Sequence, residues 1–188
     1  MLEVELKFPV PQPDRLRAQL QQLGFTRHAT HEELDRYYNA PDRDFQQTDE
    51  ALRIRRMGHQ VQLTYKGAKQ GAVGKIRKEV QLALEAGTAD TMHQLLLALR
   101  YQPSIEVKKQ RTIYKHPSQK AIQITWDEVD QLGTFIELEL QVPEGDQAAA
   151  LQVLQSVAER LQLGKEERRS YLELKMLQGA PASATPLH

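Results

Sequence analysis

The sequence predicts an α+β fold in which antiparallel strands, charged on one face and apolar on the other, carry helices on their apolar side. Two observations predict it. Strand-length segments recur along the chain, each with charge on one face and apolar residues on the other, and amphipathic helical segments supply the apolar cover those strands need. The length of 188 residues suits one hydrophobic core of ordinary size and not two.

Leu2, Val4, Leu6 and Phe8 alternate with Glu3, Glu5 and Lys7, a strict period of two that marks a first strand over residues 2–10. Pro11 and Pro13 end it and open a helix through Asp14, with Leu16, Leu20 and Leu23 at helical spacing and Gly24 as its C-terminal cap. Residues 26–39 read as extended, 41–49 as a polar loop, and 51–57 as a strand around Arg53 and Arg55. Val61, Leu63 and Tyr65 alternate with Gln62, Thr64 and Lys66; after a glycine-bearing turn at 67–74, Ile76, Lys78, Val80 and Leu82 alternate with Arg77, Glu79 and Gln81. A helix is expected over 89–100, with Leu95, Leu96 and Leu99 apolar, and strands over 105–115, 120–129 and 134–142. Asp146 starts a helix in which Leu151, Leu154, Val157, Ala158 and Leu161 share a face before Gly164, and Ser170 starts a short one through Leu177. Residues 1–178 are expected to form one domain, and the alanine-, serine- and proline-rich tail 179–188 to be disordered.

Lysine plus arginine equals aspartate plus glutamate at 25 each, so charge balance suggests neither a nucleic-acid nor a membrane partner. There is no cysteine, which removes disulfides, thiolate metal sites and cysteine nucleophiles together. Met1 to Lys7 places charges where a signal peptide needs an apolar run, and no stretch approaches the roughly 18 apolar residues of a membrane span. A cytoplasmic protein is expected. Whether it forms a homodimer stays open.

The chemistry lies on the charged faces. They carry Lys7, Arg53, Arg55, Lys66, Arg77, Lys109 and Arg111, and Glu3, Glu5, Glu79, Asp127, Glu137 and Glu139. One reading makes these the solvated side of an ordinary one-sided sheet. The other closes the sheet so that they line a lumen, where desolvated charges need counter-charges, metal ions or a bound polyanion. A metal triphosphate supplies both signs: carboxylates take the divalent ion, and lysine and arginine take the phosphate oxygens.

Competing signals are weaker. The loop Gly67 to Ile76 is not a phosphate-binding P-loop, because isoleucine stands where serine or threonine is needed and a strand follows instead of a helix. His28 and His31 are expected on the surface, Tyr37 and Tyr38 on opposite strand faces, and Trp126 in the outer core. Arg168, Arg169 and Lys175 are expected as solvated charges.

The E-V-E-L-K run at 3–7 resembles the ExExK signature of the CYTH family, the triphosphate tunnel metalloenzymes. The likeness continues in order through Asp35 to Tyr38, A-L-R-I-R-R at 51–56, Lys66-Gly67, Arg77 with Glu79, E-V-K-K-Q-R at 106–111, W-D-E-V at 126–129, L-G-T-F-I-E-L-E at 132–139 and R-S-Y-L at 169–172. It spans about residues 1–177. The resemblance implies a closed eight-stranded antiparallel tunnel that binds a triphosphate with Mg2+ or Mn2+. Carried over by position, it makes Glu3, Glu5, Asp127, Glu137 and Glu139 metal ligands, with Glu79 a weaker addition. Lys7, Arg53, Arg55, Lys66, Arg77, Lys109 and Arg111 become triphosphate binders, of which Lys7, Arg53, Lys109 and Arg111, with Glu5, are catalytic.

That family includes class IV adenylyl cyclases, thiamine triphosphatases and inorganic triphosphatases. The blocks K-K-Q-R-T-I-Y, D-E-V-D-Q-L-G-T-F and R-R-S-Y look closest to the cyclases, which form cyclic AMP and pyrophosphate from ATP. A departure points the other way: such cyclases carry a histidine–phenylalanine element before the E-V-E-L-K strand, and here only Met1 and Leu2 precede Glu3. Hydrolysis of tripolyphosphate or thiamine triphosphate is the alternative, and a non-catalytic polyphosphate- or nucleotide-binding module a third.

Overall fold

The computed structural model describes residues 2–69, 75–119 and 121–179. The expected glycine-bearing turn at 67–74 therefore falls partly outside them, at 70–74, and the expected tail at 179–188 does so from 180 on.

In chain order the elements are β1 (Leu2–Pro9), α1 (Pro13–Gln22), β2 (Thr26–Asn39), α2 (Phe45–Thr48), β3 (Ala51–Met57), β4 (Gln60–Lys66), β5 (Lys75–Arg77), β6 (Glu79–Leu84), α3 (Ala89–Ala98), β7 (Gln102–Lys115), β8 (Gln123–Val129), β9 (Gly133–Val142), α4 (Gln147–Arg160) and α5 (Tyr171–Gly179). The strands form one antiparallel sheet, ordered β5-β1-β9-β8-β7-β2-β3-β4-β6. It is curled, and its helices lie mainly on the convex side. A closed eight-stranded barrel is not what the hydrogen bonding gives. The sheet has two ends, β5 and β6, which follow each other in the chain with only Lys78 between them.

That break revises the single strand expected over 76–82. Lys78 accepts the Gly67 N–H through its carbonyl at 2.9 Å. The chain changes partner across it: Arg77 stands opposite Glu3 of β1, and Glu79 opposite Lys66 of β4. The loop expected at 41–49 also contains a turn of helix, α2, because the Asp44 carboxylate accepts the Gln46 N–H at 3.0 Å and the chain leaves through Asp49 at φ 54. Gly24, after α1, has φ +85 and a Cβ there would meet the His116 ring at 2.8 Å, so this turn admits only glycine without strain.

Period-two alternation gives every strand an outer and an inner set. Outward, Val4, Leu6, Phe8, Ile124, Trp126, Ile136 and Leu138 pack under Leu16 and Leu20 of α1 and Leu154, Val157 and Ala158 of α4. A second outer cluster joins Tyr38, Leu52, Ile54 and Val61 to Ala89 and Leu96 of α3. A third cluster sits on the inner side: Tyr37, Val107, Val129 and Phe135 meet Tyr171, Leu172 and Leu174 of α5. Helix α5 thus covers part of the concave face. Its start is a capping box, Ser170 N–H donating to Glu173 Oε2 at 2.6 Å and Glu173 N–H to Ser170 Oγ at 3.1 Å.

Candidate functional site

The concave face encloses a cavity of about 560 Å3. Its lining includes Glu3, Glu5, Lys7, Arg53, Arg55, Lys66, Arg77, Glu79, Lys109, Arg111, Glu137 and Glu139, all singled out in the sequence by alternation. The solvated-sheet reading therefore fails. Lys7, Glu5, Arg55, Arg77, Lys109, Arg111, Asp127 and Glu137 are all buried.

The two signs are partly segregated by strand register. In the β1–β9 pair, Glu5 stands opposite Glu139 and Lys7 opposite Glu137, so one wall is mainly acidic. Arg53 and Arg55 of β3 and Lys109 and Arg111 of β7 form a basic wall. Glu33 and Asp35 of β2, absent from the expected site, organise that wall. Asp35 accepts Arg55 Nε at 2.6 Å and Nη2 at 2.7 Å, and Arg53 Nη1 at 3.2 Å. Glu33 lies 3.0 Å from Arg55 Nη1 and 3.1 Å from Lys109 Nζ. His31 Nε2, 2.9 Å from Glu33, is part-buried against this network where a surface position was expected.

Burial alone would raise the Asp35 carboxyl, but Arg53 and Arg55 outweigh it and hold it well below the usual carboxylate range. Burial is likewise outweighed at Glu33, by Lys109, Arg111 and Arg55. Carboxyls lowered on folding stabilise the protein above their unfolded pKa, and that contribution is lost as pH falls through the folded one. Urea titrations should show stability declining steeply below about pH 4; a flat profile from pH 5 to 3 would contradict the assignment.

Asp127 lies deeper than Glu5 and Glu139. Arg111 donates to it at 2.7 and 2.5 Å, Lys109 at 3.3 Å and the Tyr171 hydroxyl at 2.9 Å. Arg111 also reaches Glu137 at 2.5 Å and Glu139 at 3.8 Å, linking the walls. Lys7 Nζ donates to the Arg169 carbonyl at 2.5 Å and lies 4.0 Å from the Tyr171 ring centroid. Lys66 pairs with Glu79 at 2.9 Å and lies 3.6 Å from Glu3, and Arg77 is 3.7 Å from Asp49 near the mouth. The Arg169 side chain instead pairs with Glu167, and Lys175 Nζ donates to Gln131 at 2.9 Å, both away from the lining.

On the acidic wall the balance reverses. Burial pushes Glu139 up to about 8, with Glu3, Glu137 and Glu5 adding to the rise against the opposing pull of Arg111. Burial raises Glu3 as well, against Lys66, with Glu79 and Glu5 reinforcing it. Carboxyls that resist ionisation because they are buried, with neighbouring carboxylates reinforcing the effect, fit a divalent cation, which would favour their charged forms. Among the described residues, however, no three histidine, aspartate or glutamate side chains are already gathered as a ready-made metal cluster.

A raised carboxyl contributes stability below its unfolded pKa and loses it as pH rises through the folded pKa. In EDTA, stability should therefore fall between pH 6 and pH 8.5 as Glu139 ionises near pH 8. Mg2+ or Mn2+ should raise the Tm more at pH 8.5 than at pH 6, and Glu139→Gln should flatten the difference. Equal metal-induced shifts at both pH values would rule this out. No helix among the described residues is long and apolar enough to cross a membrane.

Known proteins share this fold. A protein of Methanocaldococcus jannaschii named "putative adenylate cyclase" is 34% identical over 180 residues, covering 94% of this chain and all of the relative. The structure of a Pyrococcus horikoshii protein superposes with a TM-score of 0.85 at 37% identity, covering 94% of this chain and 99% of its own. A Hippeastrum protein described as a "putative adenylyl cyclase" with a dominant triphosphatase activity superposes at 0.70 and 16% identity, covering 96% and 97%, which shows a common fold. The sequence profile described as CYTH domain matches residues 1–171, and with relatives of this identity spanning nearly its whole length, the chain belongs to the CYTH domain family.

Proposed function

We propose that this chain is a divalent-metal-dependent enzyme that converts ATP to cyclic AMP and pyrophosphate in the concave cavity. The observation that carries the proposal is one cavity with buried cations on one wall and crowded carboxylates on the other. A polyanion alone would be repelled by the second wall, and a metal ion alone by the first. A metal triphosphate suits both.

In this reading Lys7, Arg53, Arg55, Lys66, Arg77, Lys109 and Arg111 bind phosphate oxygens, with Lys7, Arg53, Lys109 and Arg111 nearest the chemistry. Glu33 and Asp35 hold the guanidinium and ammonium groups in place before substrate arrives, so little reorganisation is needed on binding. Glu3, Glu5, Glu137 and Glu139 would hold Mg2+ or Mn2+, which would supply Lewis acidity and charge neutralisation at the phosphoryl oxygens. Asp127 belongs to the same acidic set but acts through the cations it already binds. We further propose that residues 75–84, paired to β1 on one side of Lys78 and to β4 on the other, close the sheet into a tunnel around the bound anion.

The cavity volume lies within the roughly 300–1,000 Å3 of small-molecule pockets, and uncharged Phe45, Leu172 and Met176 join its lining. These features and the name of the 34% identical relative support a nucleotide substrate. Cyclisation then has the ribose 3′-hydroxyl attack the α-phosphorus, its proton lost to solvent or base, while pyrophosphate leaves. Triphosphate hydrolysis is the second reading, favoured by the charged residues that make up half of the lining, which serve inorganic tripolyphosphate equally well.

Chromatography of products from ATP, thiamine triphosphate and tripolyphosphate, each with Mg2+ and with Mn2+, tests the reading. Cyclic AMP with pyrophosphate supports the cyclase. Orthophosphate without cyclic AMP replaces it with a triphosphatase, and no turnover of any of the three removes the enzyme.

A further inference from the structure

The segment leading into α5 reaches the catalytic lysines. The Glu167 N–H donates to the Lys7 carbonyl at 2.7 Å, the Arg169 carbonyl accepts Lys7 Nζ at 2.5 Å, and Tyr171 follows two residues later. Its ring faces two cations at once, with Lys7 Nζ 4.0 Å and Lys109 Nζ 5.0 Å from the centroid. Its hydroxyl donates to Asp127 Oδ2 at 2.9 Å, on the carboxylate that also binds Arg111 and Lys109. Phe135 fixes the ring by an edge contact, centroids 5.3 Å apart.

An aromatic ring attracts cations to its face without neutralising them, unlike a carboxylate. Two ammonium groups turned into one cavity repel each other, and flexible lysine stems would let them move apart. The Tyr171 ring gives both a common anchor and adds no negative charge of its own beside the Glu33 and Asp127 carboxylates that Lys109 already meets. The hydroxyl, through Asp127, ties Arg111 to the same point. Burial, reinforced by Glu137 and Asp127, holds the phenol well above its ordinary value, so it stays a neutral donor.

We propose that Tyr171 is a positioning residue that sets Lys7 and Lys109, and through Asp127 also Arg111, as one cationic cradle for a phosphoryl group. The proposal rests on the triphosphate reading of the cavity. It makes the C-terminal helix part of the site, acting through its first residue, although no residue of that helix carries a charge in the cradle.

The test compares Tyr171→Phe and Tyr171→Leu with wild type in tripolyphosphate binding by calorimetry and in steady-state turnover. Phenylalanine keeps the ring and should stay within about five-fold of wild-type affinity, since only the hydroxyl bond is lost. Leucine loses ring and hydroxyl and should weaken binding about ten- to a hundred-fold, by removal of two partly desolvated cation–ring contacts. A double-mutant cycle with Lys7→Met separates positioning from packing: Tyr171→Leu should cost several-fold less affinity when Lys7 is absent. If leucine does not fold, Tyr171→Met, closer in volume, takes its place. Equal losses for phenylalanine and leucine, or a cost unchanged by Lys7→Met, would overturn the proposal. If wild type binds no tripolyphosphate and turns over no triphosphate, the functional reading fails instead, a result recognisable without any variant.

Discussion

Arg111→Met is expected to destabilise the protein by about 3–5 kcal/mol at neutral pH, the range for removing one partner from a buried ion cluster. Arg111 bonds to both Asp127 and Glu137, and both carboxylates are buried. Without it they keep their desolvation cost and lose their main counter-charge. Burial would lower the Arg111 guanidinium, but Asp127 and Glu137 raise it well above its ordinary value, so this cation is present at every pH of interest. Triphosphate binding should fall as well, by at least ten-fold, since a charge-assisted bond contributes about 1.5–3 kcal/mol. Urea unfolding at pH 7 checks the first effect, and titration with tripolyphosphate the second. A variant as stable as wild type would show that the charges are not desolvated as the structure places them.

Glu5→Gln should do the reverse. In register Glu5 faces Glu139, and it contributes to raising both Glu139 and Glu3. Replacing it by a neutral amide relieves that repulsion, so the metal-free fold should be as stable as wild type or slightly more so. Turnover should fall more than about a hundred-fold, because even residues that merely orient metal ligands cost 10–100-fold when removed. An active site that is more stable when disarmed is a signature of function held against stability. Thermal melts in EDTA beside turnover in Mg2+ would show both halves; retained turnover would remove Glu5 from the metal set.

Much of this was legible because one residue in two had to be apolar. Leu2 to Phe8 and Ala51 to Met57 declare their faces, and each charged residue on them lands where alternation puts it. Glu33 and Asp35 were harder. In residues 26–33 of β2 polar side chains occupy both faces, so no apolar stripe says which carboxylates point inward. Their burial follows from arginines on β3 and lysine and arginine on β7, contacts between strands that sequence spacing does not report. Tyr171 escaped for a related reason: a short helix entering the concave face is positioned by Phe135, Val107 and Val129, far away in the chain. The expected continuous strand at 76–82 hid the change of partner at Lys78, because both halves keep the same alternation. Asp127 showed its inward face but not its depth, and depth decides whether a carboxylate meets an incoming ion or a resident arginine.

One cavity is proposed to take a triphosphate and a divalent ion together. Calorimetric titration of tripolyphosphate into the wild-type protein, in EDTA and in Mg2+ at pH 8, addresses it most directly. One site per chain is expected in both conditions, with affinity at least ten-fold higher in Mg2+, because the ion would satisfy Glu3, Glu5, Glu137 and Glu139 while the cations hold the phosphates. Binding that is absent in both, or equal with and without the metal, would contradict it.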